Sequence, residues 1–250
     1  GANNTAVGQA SLTANTTGTE NTALGYVALQ DNTTGVNNVA LGRAAIGNNI
    51  DGNNNSAVGH NALRLNTTGD NNVAVGISAL YNNTADNNTA VGGSALVANT
   101  SGGYNTAVGY LSLDANTTAS YNTALGRESL TDNITGAQNS AVGVYALRRN
   151  TTGTSNTGMG YASLITNTTG TNNTAYGHNS LYANTTSSNN TALGTNALIA
   201  NTTGSSNAAV GSGALDANTT GAANTSVGVS SLGSTTTGQH NVAVGYYANY

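Results

Sequence analysis

The sequence predicts an all-β protein, a parallel β-solenoid of stacked short coils, and three observations carry that prediction. A pentapeptide, Asn-Thr-Ala-Val-Gly at Asn4–Gly8, recurs with its Asn at 21, 38, 55, 72, 88, 105, 122, 139, 156, 173, 190, 207, 224 and 241. Every step is 17 residues except 72 to 88, which is 16. Seventeen residues is too short for a helix-turn-helix repeat, and a chain this rich in Gly, Asn and Thr opposes helix.

The unit reads N-T-A-V-G-x-x-A-L-x-x-N-T-T-G-x-x, with slots numbered one to seventeen from its first Asn. Slots two to four and roughly seven to ten are expected as two short strands, joined by a glycine turn and an N-T-T-G turn. Fifteen coils stacked about 4.8 Å apart would run for roughly 70 Å. Residues 1–250 then form one repeat array. The turn glycines Gly8, Gly25, Gly42 and Gly59 begin a column at slot five that is Gly in all fifteen copies. Such constancy indicates a positive φ or very close packing. The single deletion falls between Leu80 and Asn88, in the N-T-T-G turn, where a residue can be lost without moving the apolar slots.

Slot three is Ala in thirteen copies, with Gly158 and Ser226 the exceptions. Slot four is Val or Leu in thirteen, with Met159 and Tyr176 in the others. Slots eight and nine repeat the small-then-large pairing. Successive strand residues point to opposite faces, so both faces are expected to be buried. The small residues suit a thin interior. The column Val7, Leu24, Leu41, Val58, Val75 and onward to Val108 would face another surface, most simply another copy of the chain, and Leu12, Leu29, Leu63 and Leu113 at slot nine are grouped with it as core or interface. The apolar surface of one coil falls well short of the entropy cost of ordering seventeen backbones. Stability therefore needs ladder hydrogen bonds and shared columns. A parallel homotrimer meets that need, with a dimer or a lone chain as alternatives.

The N-T-A-[VL]-G-x-x-[AS]-L pattern resembles the head repeats of YadA-like trimeric autotransporter adhesins, and similar arrays occur in phage tail fibres. The resemblance covers essentially the whole chain. It implies a left-handed parallel β-roll, three chains in one rod, and a rod that projects from a cell surface to hold host matrix, glycans or other cells. The coil here is longer than the usual head repeat, by its N-T-T-G turn, and no neck, coiled-coil stalk or anchor accompanies it. Gly1 and Tyr250 both fall within a coil with no polar cap, which reads as a segment of a longer fibre, extracellular or on a cell or virion surface.

Composition narrows the partners. With 5 Arg and Lys against 9 acids and a net charge of −4, no basic stripe exists to follow a nucleic-acid backbone. No stretch approaches the roughly 20 apolar residues that span a bilayer. There is no Cys, so disulfides and thiolate sites are ruled out. His60 and His178 share slot six seven coils apart, and His240 sits in slot seventeen, so they are not expected to meet at a metal. The acids follow no calcium-roll pattern. No nucleophile-base set, phosphate loop or carboxylate pair stands out. The expectation is therefore no cofactor and no catalysis.

Two asparagine columns remain. Slot one is Asn in every coil, and slot twelve in most: Asn15, Asn32, Asn66, Asn99, Asn116, Asn150, Asn167, Asn184, Asn201 and Asn218. Either column can form a stacked amide ladder. Slot twelve also makes an N-x-[ST] sequon, a candidate glycosylation site in a self-assembling filament, although acceptors about 4.8 Å apart would crowd their sugars. The adjacent threonines, Thr16 and Thr17 and their successors, suggest an ice-binding array, although Thr belongs in such turns anyway. Slot six is varied, with Tyr26, Arg43, Tyr110, Arg127, Tyr161 and Tyr246 among its residues. A solvated face and a sugar-binding or adhesive face are both consistent with that.

Overall fold

The computed structural model describes residues 1–249; Tyr250, the tenth slot of the last coil, lies outside them. Among the described residues there are fifteen three-residue strands and no helix. Each strand occupies slots two to four of one coil, as expected from the repeat. The chain packs as two compact units, Gly1–Asn122 and Thr123–Tyr250.

The first unit holds β1 (Thr5–Val7), β2 (Thr22–Leu24), β3 (Val39–Leu41), β4 (Ser56–Val58), β5 (Val73–Val75), β6 (Thr89–Val91) and β7 (Thr106–Val108). Each strand pairs in parallel with the next in chain order, slot against slot. The second unit repeats this with β8 (Thr123–Leu125), β9 (Ser140–Val142), β10 (Thr157–Met159), β11 (Thr174–Tyr176), β12 (Thr191–Leu193), β13 (Ala208–Val210), β14 (Thr225–Val227) and β15 (Val242–Val244). The sixteen-residue coil leaves the ladder untouched, with Val73 opposite Thr89 and Val75 opposite Val91.

The second expected strand is not one. Slots seven to ten are turns, and the reason is a backbone alternation that residue types do not announce. Slots seven and nine both lie in the left-handed region, as in Val27 at φ 51° and Leu29 at φ 48°, or Ala44 at 55° and Ile46 at 46°. Val and Ile enter that region only at a steric cost. Hydrogen bonding offsets it. The Val27 N–H donates back to Gln9 of the preceding coil at 3.0 Å, and the Leu29 N–H donates forward to Ala45 of the following coil at 3.1 Å. The leg is thus bonded to both neighbours without being extended.

The same alternation breaks the two-face rule of a strand. Slots eight and nine both turn inward, so that Ala28, Leu29, Ala62 and Leu63 are fully buried, as is Leu113. Slot nine therefore belongs to the interior of the chain itself and does not join slot four as an outward column. Leu12, in the first coil, is half-buried. The strands keep their alternation, with the slot-three alanine buried and slots two and four facing out.

The slot-five glycines run at φ between 129° and 142°. A Cβ on Gly25 would lie 2.4 Å from the carbonyl oxygen of Gly42, and one on Gly59 would lie 2.5 Å from that of Gly76. Both reasons for glycine, a forbidden φ and an approaching backbone, act at once.

Candidate functional surfaces

Inside each unit the polar core is a cross-linked amide column. At slot twelve Asn32 Nδ2 donates to Asn15 Oδ1 at 2.9 Å, and Asn49 Nδ2 to Asn32 Oδ1 at 2.7 Å. In the second unit Asn167 Nδ2 donates to Asn150 Oδ1, and Asn184 Nδ2 to Asn167 Oδ1, each at 2.8 Å. This is the amide-to-amide ladder. Slot one makes the same amide-to-amide bond in some coils, as Asn72 Nδ2 does to Asn55 Oδ1 at 3.1 Å and Asn241 Nδ2 to Asn224 Oδ1 at 2.9 Å, and adds backbone partners. Its Oδ1 accepts the backbone N–H of the next slot-one Asn, as Asn21 Oδ1 does from Asn38 at 2.9 Å. Its Nδ2 turns to the slot-fifteen carbonyl of its own coil, and the slot-twelve amide reaches the same atom. Gly35 O thus accepts from Asn21 at 2.8 Å and from Asn32 at 3.1 Å. A Cβ on Gly35 would stand 2.4 Å from Asn32 Oδ1, which is why that slot is small. Where Ser187 replaces glycine, its hydroxyl joins the network, bonding Asn184 and accepting from Asn190 Nδ2 at 3.0 Å.

Of the ten slot-twelve asparagines named above, Asn15 is half-buried and the other nine have no exposed surface. Their Nδ2 atoms, the acceptors a glycan would need, are enclosed. In the folded coil this column is structural. Thr16 and Thr33, each the first threonine of its N-T-T-G turn, are also engaged, while Thr17 and Thr34 beside them are exposed. Thr16 Oγ1 donates to Thr33 O at 2.9 Å, and Thr33 Oγ1 to Ile50 O at 2.9 Å.

The outer surface carries three features. The first is the strand face. Val7, Leu24 and Val58 at slot four are 56%, 44% and 38% exposed, and within the second unit Tyr176 and Leu193 at the same slot are exposed too. Val108 is half-buried. Slot two flanks the column with exposed Thr22, Val39 and Val73. This is an apolar face with nothing of its own chain against it.

The second feature is a notch at the shortened coil. The missing residue pulls the turn in, so that Asn83 Nδ2 meets Ala85 O at 2.7 Å, two residues on instead of three. Asp70, Asp86, Tyr104 and Tyr121 line the resulting groove, and the two rings stack at 5.2 Å. Its carboxylates already serve the fold. Asp70 Oδ1 accepts the Asn53 N–H at 2.6 Å, and Asp86 Oδ1 accepts that of Asp70 at 2.8 Å.

The third feature gathers the cations. In the first unit Arg43 lies over the Tyr26 ring at 5.8 Å and within 3.3 Å of His60 Nε2, and Arg64 lines the same groove. In the second unit Glu128, nearly buried at slot seven, receives Arg127 at 2.8 Å and Arg148 at 3.0 Å. Both guanidiniums also pack on the Tyr145 ring, and Tyr161 stacks on His178. Slot six is varied in sequence, and its residues meet those of slots seven and ten across coils, a relation that no local motif announces. Among the described residues no group of three or more His, Cys, Asp or Glu is placed to hold a metal.

No protein-family model and no curated protein matches this chain.

Proposed function

We propose that the chain is a structural, non-catalytic fibre segment that associates in parallel with further copies of itself, as a homotrimer, through the outward strand face. The observation that carries this is the exposed slot-four column beside a core that each coil already closes internally. An uncovered apolar face of this extent marks an association surface. Its period also selects the partner. Apolar side chains about 4.8 Å apart along a stack meet a matching column most simply on an identical stack. The resemblance to trimeric adhesin repeats supports the same arrangement, outside the cell or on a virion.

Light scattering on the native protein tests it. A mass near three times the 24.6 kDa of one chain is the expected result. Leu193→Asp should reduce that mass to one chain while leaving a folded protein, since Leu193 faces outward. A wild-type protein that is already monomeric overturns the reading. A monomer that shows thermal hysteresis would instead favour the ice-binding reading of the turn threonines.

A further inference from the structure

We propose that the open groove formed by Tyr26, Arg43, His60 and Arg64 binds an acidic saccharide, a sugar ring carrying a carboxylate or a sulfate. The groove measures about 350 Å³, at the lower end of ligand pockets, roughly 300–1,000 Å³. It lies on slots six, seven and ten, apart from the slot-two and slot-four columns, and the inference does not depend on self-association.

Charge is the first reason. The chain has only five cationic side chains, all arginine, and a net charge of −4. Two of the five line this one groove. Arg127 and Arg148, in the second unit, pair with Glu128, whereas neither Arg43 nor Arg64 enters an ion pair. No carboxylate stands within ion-pair distance of either guanidinium. The fold has spent an acid to neutralise Arg127 and Arg148 and none on this pair. An uncompensated guanidinium presents a planar fork that fits a carboxylate or sulfate through two parallel hydrogen bonds. The negative charge of the rest of the chain disfavours general attraction of polyanions, so any binding has to be local.

The second reason is the apolar and neutral lining. Tyr26 is 48% exposed and is held against Arg43. That contact orients the guanidinium in advance and leaves ring surface for the C–H face of a sugar. Gln30 and Asn61 complete the wall, and their amides both donate and accept, as sugar hydroxyls require. A simple anion would need only the charges. A ring stacked beside them, with amides opposite, fits a charged sugar better than a bare ion.

Calorimetric titration of the whole protein with polygalacturonate, dextran sulfate, neutral dextran and poly-glutamate tests the proposal. Saturable binding to one or both acidic polysaccharides is expected, with none to dextran; the polymer that binds tells carboxylate from sulfate. The Arg43→Gln/Arg64→Gln double variant should lose about tenfold or more in affinity. Tyr26→Ala should lose severalfold, and Arg149→Gln, which alters an exposed arginine outside the groove, should bind normally. Light scattering of each variant should give the wild-type mass, which separates this test from that of self-association. Failure of both acidic polysaccharides to bind overturns the proposal. So does affinity that survives the double variant, or poly-glutamate binding as tightly as the sugars.

Discussion

Asn218 Oδ1 is buried with no donor, because Thr235 stands one coil on, where the ladder would place its next asparagine. The backbone is ready for that asparagine. The Thr235 N–H donates to Leu232 O at 3.2 Å, as the Asn218 N–H does to Leu215 O at 3.1 Å. Thr235→Asn should give Asn218 a partner and stabilise the second unit by about 1 kcal/mol. A urea midpoint that rises, with an unchanged slope, checks it; a fall would show that slot twelve of that coil has another geometry.

Removing an amide from within the ladder should act in the opposite sense and more strongly. Asn99 donates to Asn83 Oδ1 at 2.6 Å and to Gly102 O at 2.8 Å, and accepts from Asn116 Nδ2 at 2.8 Å. Asn99→Ala strips partners from neighbours that water cannot reach, each at roughly 1–3 kcal/mol. A loss of at least about 3 kcal/mol in denaturant unfolding is the expected result.

The glycine column offers an internal control. Gly59→Ala combines a left-handed φ of 134° with a Cβ 2.5 Å from the Gly76 carbonyl oxygen. Gly245→Ala has the same φ, yet its Cβ would meet only Ala248 Cβ at 3.7 Å. Gly59→Ala should abolish native stacking of its coils by circular dichroism. Gly245→Ala should cost only the dihedral strain, about 1–3 kcal/mol.

Glu128 binds two guanidiniums whose side chains are 58% and 41% exposed. Solvent screens such pairs, so Glu128→Gln should cost only about 0.5–1 kcal/mol. The difference from wild type should shrink as salt is raised from 0.05 to about 0.5 M, where the Debye length falls below about 5 Å. A salt-independent loss would mean that Glu128 acts by packing alone.

The strands, the glycine turns and the asparagine columns were legible in the sequence because each rests on a residue type with one strong local preference repeated at a fixed period. What could not be read was the left-handed backbone at slots seven and nine. Val27, Ile46 and Leu63 carry no local preference for it and accept it only for the inter-coil bonds that follow. Missing that alternation put Leu29 and Leu113 on a face shared with Val7, whereas they close the core of their own coils. The cation groove was half visible. Tyr26, Arg43 and His60 share slot six in successive coils, but Arg64 comes from slot ten and enters only through the packing.

The shortened coil from Asn72 to Asn87 differs from its neighbours in a way that bears on register. Seventeen-residue coils are interchangeable: a coil that docks one position early buries an alanine and a leucine of the same kind and makes amide bonds of the same kind. A chain built of such coils alone is degenerate to slippage during folding. The sixteen-residue coil, with Asn83 meeting Ala85 instead of a residue three on, matches only itself. A chain docked one coil out of place would set this sixteen-residue coil against a seventeen-residue one, and the mismatch distinguishes the native register from its neighbours.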